Sequence, residues 1–427
     1  MRNANVPVGI VGALGLTQII GYGTLYYSFS ILAPGMAADL GITVAQVFAV
    51  FSASLFVGGL SAPYIGRQMD RIGAATVMAI GSALSALTLI LCVWSPSVAI
   101  FALAIVLLEI SSGMVQYQAA FAALVEADPR SASRSITYLT LIAGFASTIF
   151  WPIATALLGY LSWREIYLVY AVLNLVVCMP LHLWIMRKGK VAAAGGQRPM
   201  REPVVGAVPR ERRRGAVIVV SAAFALLSFT LGAMLAHMVP MLGTLGFGSA
   251  AVVIGSLFGP AQVLSRLINM IFGTRLAPPG LAVLSAVFMV LSVVILALSG
   301  NWLPGAVAFS ICLGFGSGIN SIAQGSLPLY LFGSDGYGAL TGKMAAARLA
   351  AGAAAPFAFA ATMEQFGIGA SLALSAALGS IGIAAFVAVA MATKRSFVAI
   401  AEPVKLTATI HASQARPPVP CARYNGR

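Results

Sequence analysis

The apolar positions of this chain come in long unbroken runs rather than in alternation. Twelve runs can be drawn, roughly over 8–33, 44–65, 74–94, 97–123, 136–159, 163–186, 216–240, 249–272, 281–299, 303–330, 339–362 and 368–392. Each is long enough to cross a hydrocarbon layer of about 30 Å as a helix. The pattern predicts an all-α integral membrane protein of twelve transmembrane helices, with no sizeable soluble domain. Pro152, Pro260 and the "GFGSG" at 314–318 fall inside runs, where they kink helices or let them pack closely. No small-residue cleavage site precedes a mature domain, so the first run reads as a span and not as a signal.

Most joints between runs are short. The stretch 187–215 is not: it carries nine Lys/Arg against Glu202 and Glu211, is rich in Gly and Pro, and lacks an apolar period. It reads as a flexible linker. The expected organisation is a six-helix bundle over 1–186, a basic linker over 187–215, a second six-helix bundle over 216–393, and a disordered tail over 394–427. The halves echo one another. Pro34 and Pro240 are 206 apart, Gly41 and Gly246 are 205 apart, and Pro96 and Pro304 are 208 apart, which suggests two halves facing the same way.

Composition agrees: of 427 residues, 60% are hydrophobic and 8% charged, too few to cover a soluble surface. The net charge of +14 changes the picture only through its placement. With the N-terminus inside, Arg2, Arg67, Arg71, Arg130, Arg134, the linker bases, Arg275, Lys343 and six tail bases share one side, and Arg164 alone falls on the other. That asymmetry predicts a multi-pass protein of the cytoplasmic membrane with linker and both termini in the cytoplasm. Nucleic acid is not an expected partner, because the basic linker has no interleaved aromatic residues. The expected partners are the lipid bilayer, a small-molecule substrate and protons, with the chain as a monomer. Cys92, Cys178, Cys312 and Cys421 show no metal or disulfide spacing, and no cofactor is expected.

One short stretch concentrates charge. "GRQMDRIG" at 66–73 holds Arg67, Asp70 and Arg71 between Gly66 and Gly73, in the joint between runs 2 and 3. Glycine permits a tight turn and close helix contact. Asp70 can reach helix-terminal N–H groups and basic neighbours, and so hold one face closed. A solvated turn that obeys the positive-inside rule explains the same residues equally well.

This Gly-x-x-x-Asp-Arg-x-Gly pattern resembles the signature loop of the major facilitator superfamily, and "WRE" at 163–165 is similar to the Trp-Arg that often starts the sixth helix there. The resemblance covers nearly the whole chain. There are departures. Ala74 and Ala75 stand where basic residues are usual, and "GTRLAPPG" at 273–280 lacks the acid in the second half. Glu109 stands ahead of Gly113 where span 4 often carries Arg, and "GFASTIFWP" at 144–152 departs from the antiporter motif of span 5. The resemblance implies a secondary transporter working by alternating access, with a central cavity lined mainly by helices 1, 4, 7 and 10. It implies Gly66, Asp70, Arg71 and Gly73 as a cytoplasmic gate.

Polar residues at membrane depth are the candidate site, since a charge there costs about 2.5–3.5 kcal/mol on insertion scales. Arg266 lies about 9 Å inside span 8, and Arg348 at a similar depth in span 11. Together they suggest an anion site; their placement resembles the oxalate/formate antiporters and monocarboxylate porters. Snorkelling or a gate ion pair is the structural alternative. Glu109, on a cavity helix, is the proton-carrier candidate, with His237 second and His182 weaker. Gln18, Tyr22 and Tyr26 share a face of span 1; Ser112 and Gln116 follow Glu109; Asn320 and Gln324 are four apart in span 10; Gln262 precedes Arg266 by one turn. The loop at 326–343 is similar to loops of uncharacterised bacterial members, some linked to toxic-metalloid resistance.

The expected function is movement of a small organic solute, most simply an anion, with proton coupling. The alternative is a drug or metalloid efflux pump; a transport-dead sensor comes after it. No nucleotide-binding GxxxxGK[ST], no HExxH and no paired aspartates in spans occur, so neither an ATP-driven pump nor an enzyme is expected.

Overall fold

The structure, a computed structural model, describes residues 6–194, 203–272 and 276–413. Eleven helices among them are long and apolar enough to cross a membrane. They are α1 (Val8–Leu40), α2 (Val44–Ile72), α3 (Ala74–Val93), α4 (Val98–Ala127), α5 (Ala132–Leu158) and α6 (Trp163–Gly189), followed by α7 (Arg210–Phe247), α8 (Ala250–Phe272), α9 (Pro278–Ser299), α10 (Leu303–Phe332) and α11 (Tyr337–Thr393). Non-helical backbone at Gly367 (φ 82°) breaks the 57-residue α11, between the last two apolar runs.

Local chemistry sets the helix ends. Thr43 opens α2 as a capping box: its hydroxyl accepts from the Gln46 N–H at 3.2 Å, while Gln46 Oε1 accepts the Thr43 N–H at 2.9 Å. Ser162 and Glu165 repeat the device at α6. Several joints are shorter than the sequence suggested. Gly66–Ile72 are the final turns of α2, and only Gly73, with φ 92° and ψ 138°, stands outside a helix. The stretch 32–40 continues α1, and only 333–336 of the 326–343 loop is non-helical. Intrahelical bonds satisfy the backbone inside lipid, so helices run on until they meet water.

The linker and tail also differ from expectation. Residues 203–209 lie against the end of α10. The N–H groups of Ala207 and Val208 donate to the carbonyls of Tyr330 and Leu331 at 3.0 and 2.9 Å, and Ser334 N–H donates to Val204 O at 3.0 Å. They satisfy carbonyls that a helix end leaves open. Helical backbone continues past Thr393 to Ser413, where disorder was expected; extending a formed helix costs little. Residues 195–202, Arg2, Arg275 and the tail from 414 lie outside the described residues.

Each half of the sequence has its own core. One first-half cluster includes Leu32, Leu89, Phe101 and Tyr167. A second, with Leu14, Met69 and Met78, takes in Leu329 and Tyr337 from beyond the linker. The second-half cluster joins α7, α9, α10 and α11 through residues such as Phe224, Met289, Phe309 and Phe359. The halves meet where α2 and the Tyr117–Ala127 arm of α4 pack on α11, and where the Ala132–Ala143 arm of α5 packs on α8 and α10. Those arms lie towards the face that carries Gly73 and residues 333–336, here called the linker face. The other arm of α5, Ala146–Leu158, packs instead on α1 and α6.

Candidate functional site

The closest approach of the halves is built on Gly66, Gly338 and Asp70. A Cβ on Gly66 would run into the Gly338 carbonyl, and one on Gly338 would meet Gly66 O and Asp70 Oδ1, each at 2.7 Å. Only glycine allows this contact. Across it the Asp70 carboxylate accepts two backbone hydrogen bonds from the start of α11, from Gly338 N–H at 2.8 Å and Ala339 N–H at 2.7 Å. A negative charge at a helix N-terminus meets both its orphan donors and its dipole. Gly73 sits at the one-residue turn after α2, and there Glu126, from the end of α4, accepts the first N–H of α3 at 2.9 and 3.0 Å. Arg71 is exposed on the same turn, and Arg67 lies over the Tyr64 ring at 5.9 Å.

Just inside this contact is a pocket of about 40 Å³ between the halves. In this state it is narrow, with room for a few waters. Arg348 lines it with Gln324 and Thr341 of the second half and Tyr117, Gln118 and Phe121 of α4. Among the described residues no carboxylate pairs with Arg348. Tyr22 and Tyr26 lie within its electrostatic reach. The Tyr22 ring packs on Tyr117 at 4.8 Å, and Tyr117 stacks on Phe121 at 5.2 Å, so an aromatic wall faces the guanidinium.

Arg266 has another situation. It is 4% exposed, and its Nη1 donates to Thr140 O at 3.0 Å and its Nε to Ser321 Oγ at 3.2 Å. α5 is interrupted after Ala143, next to that carbonyl. Arg266 thus ties α8 to α5 and α10. The two arginines stand at different depths, six residues from the end of α8 and eleven from the start of α11, and at different seams: α5/α8 for Arg266 and α2/α11 for Arg348. The single anion site suggested for the pair is therefore not assembled in this state, because position along a helix says nothing of direction around it.

The remaining candidates divide likewise. α4 is broken at 114–116, and Gln18 Nε2 donates to the buried carbonyl of Val115 at 2.6 Å. Gln18 Oε1, Ser112 Oγ, Gln116 Nε2 and Asn320 Oδ1 are buried and have no hydrogen-bond partner. Glu109, 6% exposed, packs against Gly58 of α2 and does not line the pocket; its Oε1 also lacks a partner. Gln262 Nε2 donates to Ser317 Oγ at 2.8 Å. His237 donates through Nε2 to Pro356 O at 3.0 Å and stacks on Phe359, an α7–α11 fastening. His182 is buried between the hydroxyls of Ser82 and Thr17 at 2.9 and 3.1 Å. Sequence reasoning missed Tyr117, Gln118, Phe121 and Thr341. Tyr117 and Phe121 stand four apart beyond Gln116, so continuing the polar stripe of span 4 past its break would have found them.

Comparison with known proteins gives a consistent answer. Residues 14–356 match the profile of the Major Facilitator Superfamily. The multidrug resistance protein MdtL of Escherichia coli O157:H7 is 28% identical over 176 residues, 40% of this chain and 43% of that protein. The chain thus spans under half the length of the curated relatives it matches. Among solved structures, the human organic anion transporter MFSD10 superposes with a TM-score of 0.67 at 15% identity, covering 90% of this chain and all of that one. The proton:xylose symporter XylE gives 0.67 at 13% identity over 88% of this chain and 95% of its own. FucP in its outward conformation gives 0.64 at 14% identity over 88% and 97%. The all-helical fold, the eleven long apolar helices and the matched profile together identify the chain as an integral membrane protein that belongs to the major facilitator superfamily.

Proposed function

We propose that this secondary transporter carries a small organic anion across the cytoplasmic membrane by alternating access, with Arg348 as the anion receptor. The carrying observation is Arg348 itself: a guanidinium in the pocket between the halves, without a carboxylate partner, beside Gln324, Gln118 and Tyr117. A planar, permanently charged fork suits a carboxylate, and neighbouring amides and a phenol complete its hydrogen bonds. The break of α11 at Gly367 supports reading it as two crossings, which would make twelve in two six-helix bundles. The basic asymmetry of the sequence makes the linker face cytoplasmic. On that reading the Asp70–α11 contact is the cytoplasmic gate, here closed, and the pocket of about 40 Å³ widens when the halves rock. Glu109, buried with an unpartnered oxygen, is the proton carrier of this reading.

The test is uptake of labelled monocarboxylates into proteoliposomes under a proton gradient. Saturable uptake that falls at least about tenfold in Arg348→Ala supports the proposal. A second reading, drug efflux, is favoured by the likeness to MdtL, which is a multidrug resistance protein. Proton-driven movement of cationic drugs, unchanged in Arg348→Ala, would establish that reading instead.

A further inference from the structure

A second charged concavity lies at the linker face, away from the pocket between the halves. It is an open groove of about 350 Å³ between the starts of α7 and α11. Three cations converge on it from two helices: Arg213 and Arg214 from α7, and Lys343 from α11. One acid, Asp335, shares the lining. Arg213 is held in place: its Nη2 donates to the Asp335 carbonyl at 3.4 Å, and its guanidinium lies over the Phe332 ring at 5.8 Å. The Arg214 and Lys343 side chains are exposed.

The wall of the groove changes character with depth. Val217 and Ile218 lie four residues on from Arg213 and Arg214, one turn further into the span and on the same face. Leu340 faces them from α11, and Ile218 is 62% exposed. On α7 the cations sit at the helix end with an apolar wall one turn below. Lys343, one turn inside Leu340 on α11, is exposed and reaches the same groove on a long flexible stem. This matches a phospholipid, whose phosphate lies outside its acyl chains. Bases placed only to orient the chain need not converge, and need no apolar floor. Anionic lipid is attracted to juxtamembrane Lys and Arg by about 1 kcal/mol per residue.

We propose that this groove binds the phosphate of an anionic membrane phospholipid, with an acyl chain along Val217, Ile218 and Leu340. Inorganic phosphate shares the headgroup chemistry and is the competing source. The site does not depend on the transported substrate. It is contiguous with the Asp70 contact, because Ala339 lines the groove and also donates to Asp70.

The test uses the purified full chain in neutral detergent with three additives: dioleoyl phosphatidylglycerol, dioleoyl phosphatidylcholine and inorganic phosphate. Phosphatidylglycerol is expected to raise the melting midpoint by about 2–4 °C more than phosphatidylcholine. Inorganic phosphate is expected to have no such effect, and native mass spectrometry to show a retained phosphatidylglycerol adduct. Arg213→Gln/Arg214→Gln/Lys343→Gln should lose both signals. Arg134→Gln/Arg187→Gln/Lys188→Gln, a charge-matched change of exposed bases elsewhere, should keep them. Arg213→Lys/Arg214→Lys should also keep them, which covers the case in which the neutralised variant fails to fold. Equal shifts with both lipids, or retention in the neutralised variant, would overturn the site. A matching shift from phosphate alone would replace the lipid with a soluble anion.

Discussion

At the scale of single residues, two arginines inside spans have different consequences. Arg266 is spent on protein: its donors satisfy a helix-break carbonyl and a serine across two seams. Replacing it with alanine removes two hydrogen bonds from a charged donor across these seams, at about 1.5–3 kcal/mol each. Arg266→Ala should therefore lower the melting midpoint, while the protein that remains folded keeps its substrate KM. Arg348 faces the pocket and has no carboxylate partner among the described residues. Arg348→Lys preserves charge but loses the fork, so KM should rise about tenfold with little change in melting. The two variants, measured side by side for uptake kinetics and thermal midpoint, should move opposite quantities. If Arg266→Ala raised KM at unchanged stability, the division between the arginines would be wrong.

At the scale of elements, the closed linker face depends on how near α2 and α11 approach. Gly66 and Gly338 allow backbone contact, and Asp70 then reaches two N–H groups of α11. Gly66→Val puts a branched side chain into the Gly338 carbonyl. The helices should separate, and a single cysteine placed at Ala339 should react faster with a membrane-impermeant maleimide applied to the linker face. Asp70→Asn keeps one acceptor oxygen but loses the charge, so it should give a smaller increase; an effect as large as that of Gly66→Val would mean that charge, not contact, holds the face. This contact also shows what the sequence made legible. "GRQMDRIG" contains the two residues, Gly66 and Asp70, that α2 brings to this contact. It did not supply the partner, since a bond to backbone N–H leaves no mark in the side chains of 338 and 339. The breaks at 114–116 and 144–145 were unreadable for the same reason: a long apolar run does not mark which backbone carbonyls take a side-chain donor. Gln18 and Arg266 were visible as polar residues at depth, and their service to those carbonyls was not.

At the scale of the molecule, contacts between the halves gather on one side of the membrane. The linker-side arms of α4 and α5 cross to the second half, while the other arm of α5 stays with α1 and α6. Aromatic residues on that opposite side are open: Tyr26 is 39% and Trp151 48% exposed. A rocking transporter in this state must part α2 from α11 before its pocket reaches the linker face. Gly59 and Leu349 offer a place to prevent it, since an ideal Cβ on Gly59 lies 2.8 Å from the Leu349 Cβ. A disulfide needs about 3.8 Å between these atoms, a separation that a small outward shift supplies. The pair Gly59→Cys/Leu349→Cys, in a background with the native cysteines replaced, should cross-link on mild oxidation, stop uptake and recover on reduction. While oxidised, a cysteine at Trp151 should still react with impermeant reagent from the opposite face, and one at Ala339 should stay protected from the linker face. Continued transport by the oxidised pair would show that α2 and α11 do not separate in the cycle, and that the halves move about another seam.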